Sequence, residues 1–199
     1  MWMKNKMVDE EYMNEEEHMD MEKGKKSSEM AAEAMEELMK TVERLRAPDG
    51  CPWDRAQTHE SLKAACVEEA AEVVCGINIL SETGRAQSLM EELGDLLLQV
   101  LMHAQIAEEE GLFTMEDVCK CIADKMIRRH PHVFGDTQVD GSAEVLKNWD
   151  KIKEQEKQGK EWMDERLPAA FAESKELVDR AEERKRKKML EKAAQKDRK

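Results

Sequence analysis

The sequence predicts an all-α fold, a bundle of four or five helices, and three observations carry the prediction. Among 199 residues there are only 9 glycines and 4 prolines, and aromatics make up 4%. Ala, Glu, Leu, Lys and Met, all good helix formers, fill the central stretches. Apolar residues recur there at spacings of three and four, the period of a helix with one buried face. Collagenous, mucin-like and all-β chains are excluded by the same composition.

The elements follow in order. Residues 1–28 are acidic, rich in Met and without an apolar stripe, so they read as a mobile, disordered extension. A first helix opens near Ser28, and Met35, Leu38, Met39, Val42 and Leu45 form its apolar face. The stretch APDGCPWDRAQTH breaks it. A second helix over about 61–80 buries Leu62, Ala65, Val67, Ala70, Val73, Val74 and Ile77, and SETGRAQ closes it. A third covers about 87–110, with a wide stripe of Leu89, Leu93, Leu96, Leu97, Val100, Leu101 and Ala104; Gly111 is placed to stop it. Thr114 followed by Asp117 is an N-cap signal for a fourth helix, which Pro131 ends just after Arg129. A fifth carries Val145, Leu146, Trp149 and Ile152. The segment 158–199 is charged and ends strongly basic, with little that asks to be buried; it reads as a solvated, disordered tail.

Lys and Arg total 32 against 45 for Asp and Glu, a formal charge of −13. Phosphate backbones would be repelled, so a nucleic-acid partner is not expected. No apolar run approaches the ~20 residues that span a bilayer, and the first residues lack a secretory apolar region. Cys51, Cys66, Cys75, Cys119 and Cys121 contain no CxxC pair. Reduced thiols in a cytoplasmic protein fit them better than a disulfide framework or a zinc finger.

Chemistry concentrates in the acids of the second and third helices. Glu69 and Glu72 are three apart, as are Glu92 and Asp95, so each pair shares a helix face; Glu68 lies beside the first pair. These carboxylates border the apolar stripes, where repulsion and desolvation call for a cation. Oxygen ligands from two antiparallel helices suit Mg²⁺, or Mn²⁺. Spacing alone leaves a solvated acidic face as an equal alternative. A di-iron bundle wants Glu-x-x-His, and His103 has Val100 three residues before it. Lys125 and Arg129 share a face of the fourth helix, with Arg128 beside them; they fit either the dipole at a helix C-terminus or a phosphate clamp. His130 and His132 read as part of a structural turn.

Taken together, LRAPDGCPWDRAQTHESL, EEAAE, EELGDLLLQVLMHAQIAEEEGLF, IRRHPHVFGD and NWDKIKEQE resemble the MazG family of nucleoside triphosphate pyrophosphohydrolases, over about residues 30–157. The resemblance implies a catalytic domain over 29–157, usually an intertwined homodimer, that converts NTP and water to NMP and pyrophosphate with Mg²⁺. It implies metal-activated attack of water at the α-phosphorus. By position, Glu69, Glu72, Glu92 and Asp95 are similar to the family's metal ligands, with Glu68 orienting them or a water. Lys125 and Arg129, with Arg128, match the phosphate-contacting cations. Trp149 matches an aromatic near the nucleotide, with a core role as the alternative; Trp53 is expected at the pocket rim. A catalytically silent nucleotide-binding or scaffold protein, and a pyrophosphohydrolase specific for dUTP, dCTP or another nucleotide, are the alternative functions. Many members carry two such domains in tandem, and one copy is legible here.

Overall fold

Helices carry almost the whole chain in the computed structural model, which describes residues 15–196. In order they are α1 (Glu15–Arg46), α2 (Pro52–Arg55), α3 (Lys63–Thr83), α4 (Gln87–Glu109), α5 (Met115–Arg129), α6 (Pro131–Phe134), α7 (Ser142–Lys157) and α8 (Glu161–Lys196). The all-α expectation holds, with no strand among the described residues. Eight helices rather than four or five are present there, because one-turn α2 and α6 form inside expected loops and the charged C-terminal segment forms α8.

The chain divides into two units at Arg55. In the first, α1 starts at Glu15, upstream of the expected start at Ser28. The run of Glu, Met and Lys before Ser28 has high helix propensity and no proline, so the helix extends into it. Residues 1–14 of the expected extension lie outside the described residues. The helix ends in a tight bend. The Arg44 guanidinium grips Asp49 with two bonds of 2.8 and 3.0 Å, and the Cys51 N–H donates to the Leu45 carbonyl at 2.8 Å. A Cβ at Gly50 would overlap that carbonyl, so only glycine fits. Arg46 ties α2 in place through the Asp54 carbonyl.

The second unit is built on the α3–α4 hairpin. The left-handed Gly84 (φ 72°) caps α3, its N–H donating to Leu80 O at 2.9 Å, and residues 84–86 turn the chain back. Gly76 is buried at the crossing, where an added Cβ would lie 2.8 Å from Leu89 Cα; the two backbones touch there. α5 opens with the expected cap, now a full capping box: Thr114 Oγ1 accepts from the Asp117 N–H and Asp117 Oδ2 accepts from the Thr114 N–H.

Two expectations are corrected here. Residues 161–196 form a docked helix rather than a loose tail. Leu177, Val178 and Ala181 recur at helical spacing; Ala181 is buried and the other two half-buried, and Lys63 bridges to Glu173 at 3.2 Å. The expected buried faces of α3 and α4 are also only partly covered. Leu62, Leu101 and Ala104 are buried, while Ala70 is exposed and Val74 is 56%, Ile77 46% and Leu93 49% exposed. No helix of the described residues is long and apolar enough to cross a membrane.

Candidate functional site

Five carboxylates stand along the hairpin, Glu68, Glu69 and Glu72 on α3 and Glu92 and Asp95 on α4. Helical spacing puts each set on one face, and the antiparallel turn brings the faces together. Glu69, Glu92 and Asp95 converge: one carboxylate oxygen from each lies within 4.8 Å of the others. Glu69 and Glu92 are half-buried and Asp95 is exposed, so the trio sits at the boundary between core and solvent.

The electrostatics record this crowding. Burial pushes the Glu69 carboxyl above the ordinary carboxylate range, and the charges of Glu72, Asp95, Glu68 and Glu92 push the same way. Glu92 is raised by desolvation and by Glu72 and Asp95, against a smaller opposing pull from Lys185. An all-oxygen donor set in which ionisation of Glu69 and Glu92 is disfavoured suits a hard divalent ion.

Glu68 and Glu72 are held differently. Arg184 of α8 donates to Glu68 at 2.7 Å, and Lys185 hydrogen-bonds Glu72 while lying 3.7 Å from Glu68. Burial pulls the Lys185 ammonium down, yet its bond to Glu72 and the charges of Glu72, Glu68 and Glu69 outweigh this and raise it. Between α3, α4 and α8 lies a cavity of about 400 Å³. Glu68, Glu72 and Glu92 form its acidic wall, facing Lys185 and Glu182 of α8. Ala71, Cys75, Val178 and Ala181 supply apolar surface.

The basic residues expected from α5 lead elsewhere. Arg129 donates from Nε and Nη2 to Glu156 Oε2 at 3.0 and 2.6 Å, and Arg128 Nε donates to Oε1 at 2.6 Å. The Arg129 guanidinium lies 5.1 Å from the Trp149 ring centroid, and His130 meets the same ring edge-on at 4.9 Å. The two guanidinium groups hold Glu156 below the usual carboxylate range, Arg129 most strongly. Arg128, Arg129 and Trp149 thus form a joint between α5 and α7, and among the described residues no hydrogen bond or ion pair links that joint to the carboxylates. Lys125 is half-buried one turn before Arg129. Trp53 belongs to the first unit, on α2, and is 65% exposed.

Sequence reasoning missed three things. Glu156 was hidden as one acid among many. Arg184 and Lys185 lay in the segment read as a tail, although the spacing of Leu177, Val178 and Ala181 just before them was a usable signal. The third is a polar brace: His59 and His103 stack with their Nδ1 atoms 2.7 Å apart, and Cys66 Sγ lies 3.3 Å from His103 Nε2. Burial, with the neighbouring His59, holds His103 below its ordinary value, and burial pushes the Cys66 thiol up, so this thiol is no ready nucleophile.

Comparison with known proteins agrees with this geometry. Residues 57–134 match the MazG nucleotide pyrophosphohydrolase domain. The nucleoside triphosphate pyrophosphohydrolase/pyrophosphatase MazG of Thermotoga maritima is 51% identical over 122 residues, 61% of this chain and 45% of that protein. The nucleoside triphosphate pyrophosphohydrolase of Escherichia coli is 44% identical over 124 residues, 62% of this chain and 46% of its own length. The uncharacterized protein YabN of Bacillus subtilis is 52% identical over 116 residues, 58% of this chain and 23% of YabN. The chain therefore spans less than half the length of these three relatives. The matched region, residues 57–134, contains all five carboxylates, and this part of the chain is similar to the MazG nucleotide pyrophosphohydrolase domain.

Proposed function

We propose that the protein hydrolyses nucleoside triphosphates to the monophosphate and pyrophosphate with the help of Mg²⁺, for which Mn²⁺ can substitute. The observation that carries this reading is the convergence of Glu69, Glu92 and Asp95 inside the matched domain. Among the described residues no ion pair within 4.0 Å reaches these three carboxylates, whereas Glu68 and Glu72 are paired with Arg184 and Lys185. The trio fits a hard divalent ion, with Glu72 the nearest further oxygen donor on the same helix face.

When bound there, such an ion supplies Lewis-acid polarisation of the phosphates and lowers the pKa of water. The residues supply the rest. Glu69, Glu92 and Asp95 would hold that ion at the α3–α4 face, and its charge would offset their repulsion of the phosphates. Glu68, or Glu72, accepts the proton of the attacking water on a carboxylate oxygen. The water oxygen bonds to the α-phosphorus as the bond to the bridging oxygen breaks, and pyrophosphate leaves. Lys125 is the α5 cation we assign to the phosphates; Arg128 and Arg129 reach them only by releasing Glu156.

The partner we propose besides the nucleotide is a second copy of the chain, supported by the exposed apolar residues on α3 and α4. The cytoplasm, where nucleotides and reduced thiols coexist, suits the five free cysteines.

The test is product analysis over a panel of canonical and modified NTPs, with and without Mg²⁺. Wild type should release NMP and pyrophosphate, and Glu69→Gln or Asp95→Asn should slow turnover by about a hundredfold or more while the helical signal survives. Unchanged turnover in either variant would remove that residue from the mechanism, and nucleotide binding without product would favour a silent binding protein.

A further inference from the structure

We infer that Arg184 and Lys185 of α8 are polyphosphate-binding residues of this site, and that α8 forms a wall of the nucleotide cavity. The inference rests on the pyrophosphohydrolase reading and adds to it residues outside the matched domain, which ends at position 134.

The docking of α8 is specific. The Lys63–Glu173 bridge and the burial of Ala181 set its height along α3, and one turn beyond Ala181 the two cations arrive at Glu68 and Glu72. Lys185 lines the same cavity of about 400 Å³ as Glu92, and Arg184 is bonded to Glu68 of its wall; the size falls in the range of small-molecule sites. The two α5 guanidinium groups are committed to Glu156. Arg129 is only 14% exposed and chelates Glu156 beneath Trp149, so moving it would strand a largely buried carboxylate.

Arg184 and Lys185 are freer, at 52% and 48% side-chain exposure, and their ion pairs are with Glu68 and Glu72, carboxylates beside the metal trio. Glu69, Glu92 and Asp95 would hold a divalent ion whose charge would repel Arg184 and Lys185 and weaken their hold on Glu68 and Glu72. The triphosphate brings new anionic oxygens to the same place. Arg184, which makes one bond to Glu68, can exchange it for a phosphate that its guanidinium fork grips with two, and the lysine follows as a point charge. The ion pairs therefore hold the two cations in position and hand them to the substrate, and the apolar surface of Ala71, Cys75, Val178 and Ala181 is left for the uncharged part of the nucleotide.

The full-length chain tests this directly. Calorimetry with a non-hydrolysable α,β-methylene NTP and Mg²⁺ compares wild type with the double variant Arg184→Gln/Lys185→Gln. Kd and KM should rise about tenfold with kcat nearly unchanged, the pattern of lost phosphate contacts. Mn²⁺ binding without nucleotide should stay equal or tighten, because two competing cations are gone. The swap Arg184→Lys/Lys185→Arg should restore most of the affinity. Arg180→Gln, whose partner Glu176 lies on the same helix, should match wild type. Equal nucleotide affinity in wild type and the double glutamine variant, or a charge swap as weak as that variant, overturns the inference alone. A wild type that neither binds nor cleaves nucleotide overturns the pyrophosphohydrolase reading, and this inference with it.

Discussion

Glu69 is the residue at which folding and chemistry pull in opposite directions. Its carboxyl is half-buried among four other acids, and that environment raises its pKa above the ordinary 4.5. In the unfolded chain it returns to the ordinary value. Between the two values the folded state therefore binds more protons, and metal-free stability rises as pH falls through that window. Below about 4.5 both states are protonated and this gain is complete. The same repulsion predicts that Glu69→Gln, the variant expected to slow turnover, raises the metal-free Tm by about 1–3 °C. Thermal melts in EDTA at neutral pH measure this, and a lower Tm would show that the acid is not repelled in the native state. Protons compete with the divalent ion for the same oxygens, so metal affinity should fall on acidification before ordinary surface carboxylates titrate. At this scale the sequence made the acids legible, because an i, i+3 spacing fixes a shared helix face. Their partners were not legible. Arg184 meets Glu68 across 116 positions and Arg129 meets Glu156 across 27, and no local pattern specifies such pairs.

At the scale of elements, the hairpin is the unit that makes the site. Gly76 allows α3 and α4 to touch, and Gly84 turns the chain so that Glu69 faces Glu92 and Asp95. Gly76→Ala places a Cβ against the Leu89 backbone, which cannot rotate away as a side chain could. We expect a loss of about 1–3 kcal/mol in thermal or urea unfolding, and weaker Mn²⁺ binding as the trio spreads. A variant as stable and as metal-competent as wild type would mean the hairpin does not depend on this contact. Helices α3, α4 and α5 were readable to within about three residues because broad apolar stripes, a left-handed glycine and a Thr–Asp cap bound them. α8 was not, since its docking stripe is narrow and sits in a stretch where nearly every other residue is charged. Its contact with α3 comes from a few small apolar groups plus ion pairs, a combination that resembles a solvated helix until its neighbour is known.

Across the whole molecule the apolar stripes exceed what one chain covers. Val74, Ile77, Leu93 and Val100 are exposed on the helices that carry the site. Burial of such residues is worth roughly 1.5–3 kcal/mol each, so a second copy has ample surface to hold. Wild type should sediment as a dimer, and Val74→Glu with Ile77→Glu should shift it to a monomer and lower its Tm. A wild type that sediments as a monomer at micromolar concentration would exclude that partner. The arrangement of charge along the chain has one more consequence. All five carboxylates fall within a single local hairpin, whereas Arg184 and Lys185 come near the end of the chain. During synthesis from the N-terminus, the acidic groove can close before its balancing cations have left the ribosome. In that interval soluble divalent ions are the nearest neutralising charge, so the nascent hairpin would meet the metal we propose for it before it meets its own helix.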